Sequence, residues 1–267
     1  VSGRDSERID LFDAEELSVG LSRRQLKPGD VVGEYEIVRQ LGEGGFGLVY
    51  EATHVVIERR AAIKVVSLTF AGDADALASR FVEEARAVNR IRHPNVVDIY
   101  DLGYLEDGTL YLVMELLEGQ DLAQRLEQEG RLEPLEACEV LGPIASALGA
   151  AHDKGIVHRD LKPENIFLSR LPTGETVPKL LDFGIAKLVG ESAEGVKHRT
   201  RTGVPIGTPQ YMSPEQCLAL EVDARSDVYA FGVLCFECLT GQVPFDGDAY
   251  VTIANQHTGA PRPRVSA

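Results

Sequence analysis

The sequence predicts an α+β chain in two parts: a small antiparallel sheet carrying one helix, then a larger, mainly helical part. Three observations lead there. From Tyr35 onward, short apolar runs alternate like strands and are broken by glycine turns. Within that stretch, "DALASRFVEEARAVNRI" instead sets Leu77, Phe81, Ala85 and Val88 on one helical face. After "LLEGQDL" the pattern becomes predominantly helical.

Taken in order, residues 1–31 are rich in charge, end in "KPGD", and are expected to form a disordered tail with one short helix near "DAEELSVGL". Residues 32–117 form the small part. Here "YEIVRQL" and "LVYEATH" flank the turn "GEGGFG", and "AAIKVVSL" supplies the next strand. The runs "VVDIYDLGYL" and "TLYLVMEL" are joined by Glu106-Asp107-Gly108, a hairpin signal because Asp-Gly accepts the left-handed turn conformation. A short connector near Glu115 to Gly119 leads into residues 118–267. There "LEACEVLGPIASALGAAHDKG" reads as a helix stopped by Gly155, with Pro143 inside it. That proline is expected to cost about 3 kcal/mol or to bend the helix. "VHRDLKPENIFLS" and "PKLLDFGIAKLV" alternate short strands with polar loops, and "SDVYAFGVLCFECLTG" is a strongly apolar, central helix.

The formal net charge of −15 over 267 residues argues against nucleic acid or an anionic membrane as a main partner, because both need a basic surface. It leaves small anionic ligands open, since a few local donors suffice to hold them. Cys235 and Cys238 form a C-x-x-C, but no second pair or nearby histidines complete a metal set, so they read as core residues. Four cysteines without a disulfide framework fit a reducing cytoplasm. No run of transmembrane length and no signal peptide is visible, and an anchor beyond residue 267 is left open.

Lys64 stands out. As a strand, "RRAAIKVVSL" is apolar on both faces except for this residue, and lysine is almost never buried without a partner. The turn "GEGGFG" places Gly42, Gly44 and Gly47 as G-x-G-x-x-G. That pattern alone is shared with dinucleotide folds, but here a strand follows rather than a helix. Such a hairpin lets backbone N–H groups approach phosphate oxygens.

"GEGGFGLVY", "AAIK", "HRDLKPEN", "DFG" and "GTPQYMSPE" occur in the order and spacing of eukaryotic-type protein kinases, and the chain most resembles their bacterial Ser/Thr members from about Val32 onward. The resemblance implies a bilobal kinase fold and transfer of the γ-phosphate of Mg·ATP to Ser or Thr of protein substrates, with Mn²⁺ an alternative metal. In its terms, Lys64 contacts the α- and β-phosphates and pairs with Glu84, nine residues before His93; Glu83 is the alternative acid. Asp160 orients the substrate hydroxyl, Lys162 sits on the γ-phosphate, and Asn165 with Asp182 holds the metal. Leu41, Gly42, Glu43, Gly44, Gly45, Phe46 and Gly47 form the phosphate loop. Val49, Ala62 and Phe167 sandwich adenine, Met114 is the gatekeeper, the backbone from Glu115 to Leu117 meets the adenine edge, and Asp121 reaches the ribose. His158 reads as a packed structural histidine and Asp227 as a brace for the catalytic-loop backbone, while Thr208 is expected to contact Asp160 and Lys162. Arg159 would receive a phosphate placed by autophosphorylation on Thr200 or Thr202, with a second copy of the chain as partner. The alternative reading is a nucleotide-binding scaffold without transfer. The family's last helices, and the arginine that pairs with Glu215, have no match in this sequence. The expectation is therefore a shortened helical lobe with Glu215 unpaired.

Overall fold

The computed structural model describes residues 25–44, 47–66, 74–183 and 208–265, with the side chains of residues 44, 74–78, 80 and 84 outside the described set. Strands β1 (Val31–Val32), β2 (Tyr35–Gly44), β3 (Gly47–His54), β4 (Arg60–Val66), β5 (Ile99–Tyr104) and β6 (Leu110–Glu115) form an antiparallel sheet in the order β1-β2-β3-β4-β6-β5. Gly44 pairs with Gly47 at the last described step of the β2-β3 ladder. Two register shifts in β2, between Ile37 and Arg39 and between Gln40 and Gly42, mark bulges, which increase local twist.

Strand alternation divides this sheet cleanly. One face carries Tyr50, Ala61, Ile63, Val65 and Val113 into a closed apolar cluster. The other carries Val49, Ala62, Lys64, Leu112 and Met114, cross-strand neighbours in the β3-β4-β6 register. Helix α1 (Ala74–Asn89) covers part of this second face: Phe81 and Ala85 pack on Val66, Leu110 and Leu112. Its Val88 reaches the larger core instead.

The small part starts earlier than the sequence suggested. Leu26 is buried in the first cluster, its N–H donates to the Tyr50 hydroxyl at 3.1 Å, and Val31 already belongs to β1. The expected tail of 1–31 is therefore too long at its C-terminal end, because Leu26 alone in "RRQLKPGD" carried no periodic signal.

The larger part is built on α3 (Pro134–His152) and α5 (Ala224–Thr240), preceded by β7 (Gly119–Asp121) and α2 (Leu122–Glu129). Strands β8 (Ile166–Arg170) and β9 (Thr176–Leu180) complete a three-stranded sheet in the order β7-β8-β9, and α4 (Pro214–Cys217) and α6 (Tyr250–Gly259) flank α5. Ile144, Ala147 and Leu148 of α3 meet Ala230, Val233 and Leu234 of α5 in one core with Ile166, Leu180 and Phe183. Burying a side chain such as Ile144 or Leu234 contributes about 2–3 kcal/mol.

Pro143 lies inside α3 without ending it. Two features relieve it. The preceding residue is Gly142, which lacks the Cβ that a following proline ring would crowd. The residue whose carbonyl loses its hydrogen-bond donor is Glu139, four positions back on an exposed part of the helix. Cys238 is fully buried in the core, with Cys235 packed against it; burial pushes the Cys238 thiol up to about 12. Among the described residues no helix is long and apolar enough to cross a membrane.

Candidate active site

The site begins at Lys64. Its ammonium donates to both carboxylate oxygens of Asp182 at 2.6 Å, joining β4 to the loop after β9. The lysine side chain is 13% exposed and the aspartate 45%. The burial puzzle of "AAIK" is thus resolved by an acid 118 residues away. Glu84 lies within α1, but its side chain is outside the described residues, as are Gly45, Phe46, Thr200 and Thr202.

Beside Lys64, Gly42 pairs with Val49 and Val49 with Lys64, so the base of the glycine hairpin lies in the same row of the sheet as the lysine. Leu41 is partly exposed at its rim, and Glu43 pairs with Leu48 one step further along. Gly47 has φ +145°, and a Cβ there would fall onto the Val65 carbonyl oxygen. Close strand packing therefore requires this glycine, whatever the loop binds. Ala62 pairs with Met114. The Glu115 N–H is taken by the Asp98 carbonyl at 2.9 Å, so Glu115 cannot donate to a ligand through its backbone. Leu117 is partly buried. Phe167 of β8 pairs with Asp121. Asp121 caps α2, accepting from the Gln124 N–H at 2.8 Å and the Gln124 amide at 2.9 Å.

The loop between α3 and β8, which carries Asp160 and Lys162, is held from behind. Asp227, 1% exposed on α5, accepts the N–H of His158 at 2.7 Å and of Arg159 at 2.8 Å, and also lies 2.7 Å from His152 Nε2. These contacts supply hydrogen bonds to a charge that could not otherwise be buried. His158 is fully buried. Its Nε2 donates to the Leu181 carbonyl at 2.9 Å, its Nδ1 accepts the Asp160 N–H at 3.3 Å, and its ring packs on Phe183 with centroids 4.9 Å apart. Both nitrogens are engaged, so His158 is a structural residue rather than a base. Arg159 (φ +65°) and Asp182 (φ +42°) both adopt left-handed backbone, a strain of order 1 kcal/mol or more that clusters at functional sites.

This bracing presents Asp160, Lys162, Asn165 and Thr208 together. The Asn165 amide donates to the Asp160 carbonyl at 2.7 Å and to its carboxylate at 3.3 Å. Lys162 Nζ lies 3.5 Å from the same carboxylate and 3.3 Å from the Thr208 hydroxyl. With its NH₂ committed to Asp160, Asn165 has its carbonyl oxygen left as a ligand atom. That oxygen and the Asp182 carboxylate are hard donors suited to a small divalent cation. Among the described residues no group of three or more His, Cys, Asp or Glu is placed to hold a metal.

Beyond Thr208 the segment from Pro209 to Gln216 is fixed to α5 and to the loop after α3. The Tyr211 hydroxyl donates to Glu237 at 2.7 Å; burial pushes the Tyr211 phenol up, helped by Glu237, and burial also raises the Glu237 carboxyl. Ser213 and Gln216 form a capping box, and the Gln216 amide donates to the Arg159 carbonyl at 2.8 Å. The expectation that Glu215 is unpaired is corrected: its carboxylate accepts the Ser226 hydroxyl. Burial works against its charge, but hydrogen bonds from Ser226, its own backbone and Ser213 outweigh that and leave the carboxyl below its ordinary range. A residue the motifs did not reveal is Lys179, which pairs with Glu115 at 2.7 Å; the two stand 64 positions apart with no motif linking them.

Residues 35–262 match the protein kinase domain family. The chain is 40% identical over 224 residues to the serine/threonine-protein kinase pkn3 of Myxococcus xanthus, covering 84% of this chain and 41% of that one. It is 39% identical over 233 residues to the serine/threonine-protein kinase PrkC of Bacillus subtilis, covering 87% and 34%. It thus spans less than half the length of these curated relatives. Among solved structures, the PknI kinase domain of Mycobacterium tuberculosis superposes with a TM-score of 0.66 at 26% identity, covering 91% of this chain and 83% of that one. With its fold, its catalytic-loop geometry and these likenesses in agreement, the chain belongs to the protein kinase domain family.

Proposed function

We propose that this chain is the catalytic domain of a protein serine/threonine kinase that transfers the γ-phosphoryl group of ATP to Ser or Thr hydroxyls of protein substrates. The observation that carries the reading is the hydrogen-bonded cluster of Asp160, Lys162 and Asn165, set beside the Lys64–Asp182 pair. Phosphoryl transfer demands mainly positioning and charge neutralisation, and these groups supply both.

In this reading the substrate hydroxyl approaches the Asp160 carboxylate, which takes its proton as the oxygen–phosphorus bond forms and the bond to the ADP oxygen breaks. Lys162 steadies the charge on the transferred group, and its contact with Thr208 ties it to the segment that follows. Lys64 exchanges part of its hold on Asp182 for the α- and β-phosphates. A divalent cation, which we assign as Mg²⁺ with Mn²⁺ able to substitute, neutralises phosphate charge when bound. Asp182 and the Asn165 carbonyl would hold it. Val49, Ala62, Met114 and Phe167 suit an adenine slot, with the Glu115 carbonyl and the Leu117 N–H on its edge. Autophosphorylation of Thr200 or Thr202 by a second copy, read out by Arg159, would be the regulation, and the free cysteines favour a reducing cytoplasm as the setting.

The test is transfer of labelled γ-phosphate to a mixed protein substrate, followed by identification of the phosphorylated residues, for the wild-type chain and Asp160→Asn. Labelled Ser and Thr with the wild type, and loss of about a hundredfold or more in the variant, are expected. Nucleotide binding by the wild type without transfer would favour the scaffold reading.

A further inference from the structure

The connector between the two parts carries a shielded ion pair that none of the catalytic motifs uses. Lys179 Nζ donates to Glu115 Oε1 at 2.7 Å, with the side chains 13% and 17% exposed. The same oxygen accepts the Asp98 N–H at 2.9 Å, and the Glu115 N–H returns a bond to the Asp98 carbonyl at 2.9 Å. Glu115 closes β6 directly after Met114, while Lys179 lies on β9 opposite Phe167 and three residues before Asp182. The segment that contributes Asp98 is itself laced to β9. Val97 donates to the Leu180 carbonyl at 3.0 Å, Leu180 to the Asn95 carbonyl at 2.8 Å, and the Asn95 amide to the Pro178 carbonyl at 2.8 Å. A second pair at the far end of the connector, Arg60 with Glu118 at 2.7 Å, is 53% and 65% exposed and so contributes little.

We propose that Lys179 and Glu115 are positioning residues for nucleotide binding: their pair fixes the connector backbone from Glu115 to Leu117 against β9, the strand that leads to Asp182. The adenine edge and the phosphate end of one nucleotide are then held in a single register. Neither charged group touches a reacting atom. The inference rests on the reading of this site as an ATP site.

The experiment compares wild type, Lys179→Met, Lys179→Arg, Glu115→Gln, the double variant Glu115→Gln/Lys179→Met and the surface control Glu118→Gln. For each it measures KM for ATP, kcat, direct nucleotide affinity and thermal midpoint. Lys179→Met should raise KM and weaken nucleotide affinity about tenfold while kcat stays within about threefold, because the Asp160 cluster is untouched. Lys179→Arg should stay within about twofold of wild type in both, since it keeps the charge and a donor. The double variant should be no worse than Lys179→Met, because the two groups act as one unit. Glu118→Gln should stay within about twofold. If Lys179→Met does not fold, Glu115→Gln decides, with an expected rise in KM of about threefold, since it keeps an acceptor for Asp98 but loses the charge. Unchanged KM and affinity in folded variants overturn the proposal, as does a fall in kcat with KM unmoved. If the wild type binds nucleotide but transfers nothing, the functional reading fails, and the nucleotide affinities still decide for or against the pair.

Discussion

The two halves of the site are held in different ways. On the large-lobe side, Asp227 is almost fully buried and bonds two backbone amides and His152, so the catalytic loop rests on an acceptor that water cannot reach. On the small-lobe side, Lys64 is held by Asp182, a carboxylate nearly half exposed and on strained backbone. A buried, fully satisfied charge resists exchange of partners, whereas a pair with one half-exposed member exchanges more readily. Under the proposed function, the groups that would act on the acceptor hydroxyl are built in advance, and those that would act on the phosphates are poised to change partners when nucleotide arrives.

The hardest way to break this contrast is to remove the buried brace. Asp227→Ala leaves two amides and a histidine without their acceptor and should destabilise the domain by about 3–5 kcal/mol. Thermal denaturation should show a fall in Tm of about 10 °C or more, with transfer lost alongside. Lys64→Met probes the other half and should separate the two properties. Transfer should fall about a hundredfold or more, while Tm moves by no more than about 3 °C, because Asp182 remains solvated.

Acid titration sharpens the comparison on the large-lobe side. Glu215 has a folded-state pKa below its unfolded value. Its stabilising contribution is therefore present above the ordinary carboxyl range and disappears as pH falls through the depressed folded value. Urea unfolding of wild type and Glu215→Gln should differ at pH 7 and converge in strong acid. The smallest effect concerns the thiols. Alkylation at pH 8 read by mass spectrometry should label exposed Cys138 first and Cys238 last, since burial pushes the Cys238 thiol up to about 12.

Much of this was legible in the chain. Period-2 and helical patterning located the sheet, α1 and the apolar α5, because each buries one face against a single core. Asp160 and Asn165 carry no periodicity, so only the resemblance to a family points to them as candidate catalytic residues. What sequence could not show were contacts set by topology. Lys64 meets Asp182, Glu115 meets Lys179 and Glu215 meets Ser226 because the fold joins distant or non-motif positions, and no local spacing encodes that. Sequence alone reads the proline in α3 as a cost. Its relief depends on Gly142 and on the exposure of Glu139, and the second of these is visible only in three dimensions. Leu26 reads as part of a tail because a single leucine among charges leaves no pattern.

The difference between the two halves is measured most directly by amide hydrogen exchange, with and without Mg²⁺ and a non-hydrolysable ATP analogue. The amides of His158 and Arg159 should be protected in both conditions, while those of Gly42, Gly47 and Asp182 should gain protection only with nucleotide. Rapid exchange at His158 and Arg159 until nucleotide is added would contradict a catalytic loop built in advance.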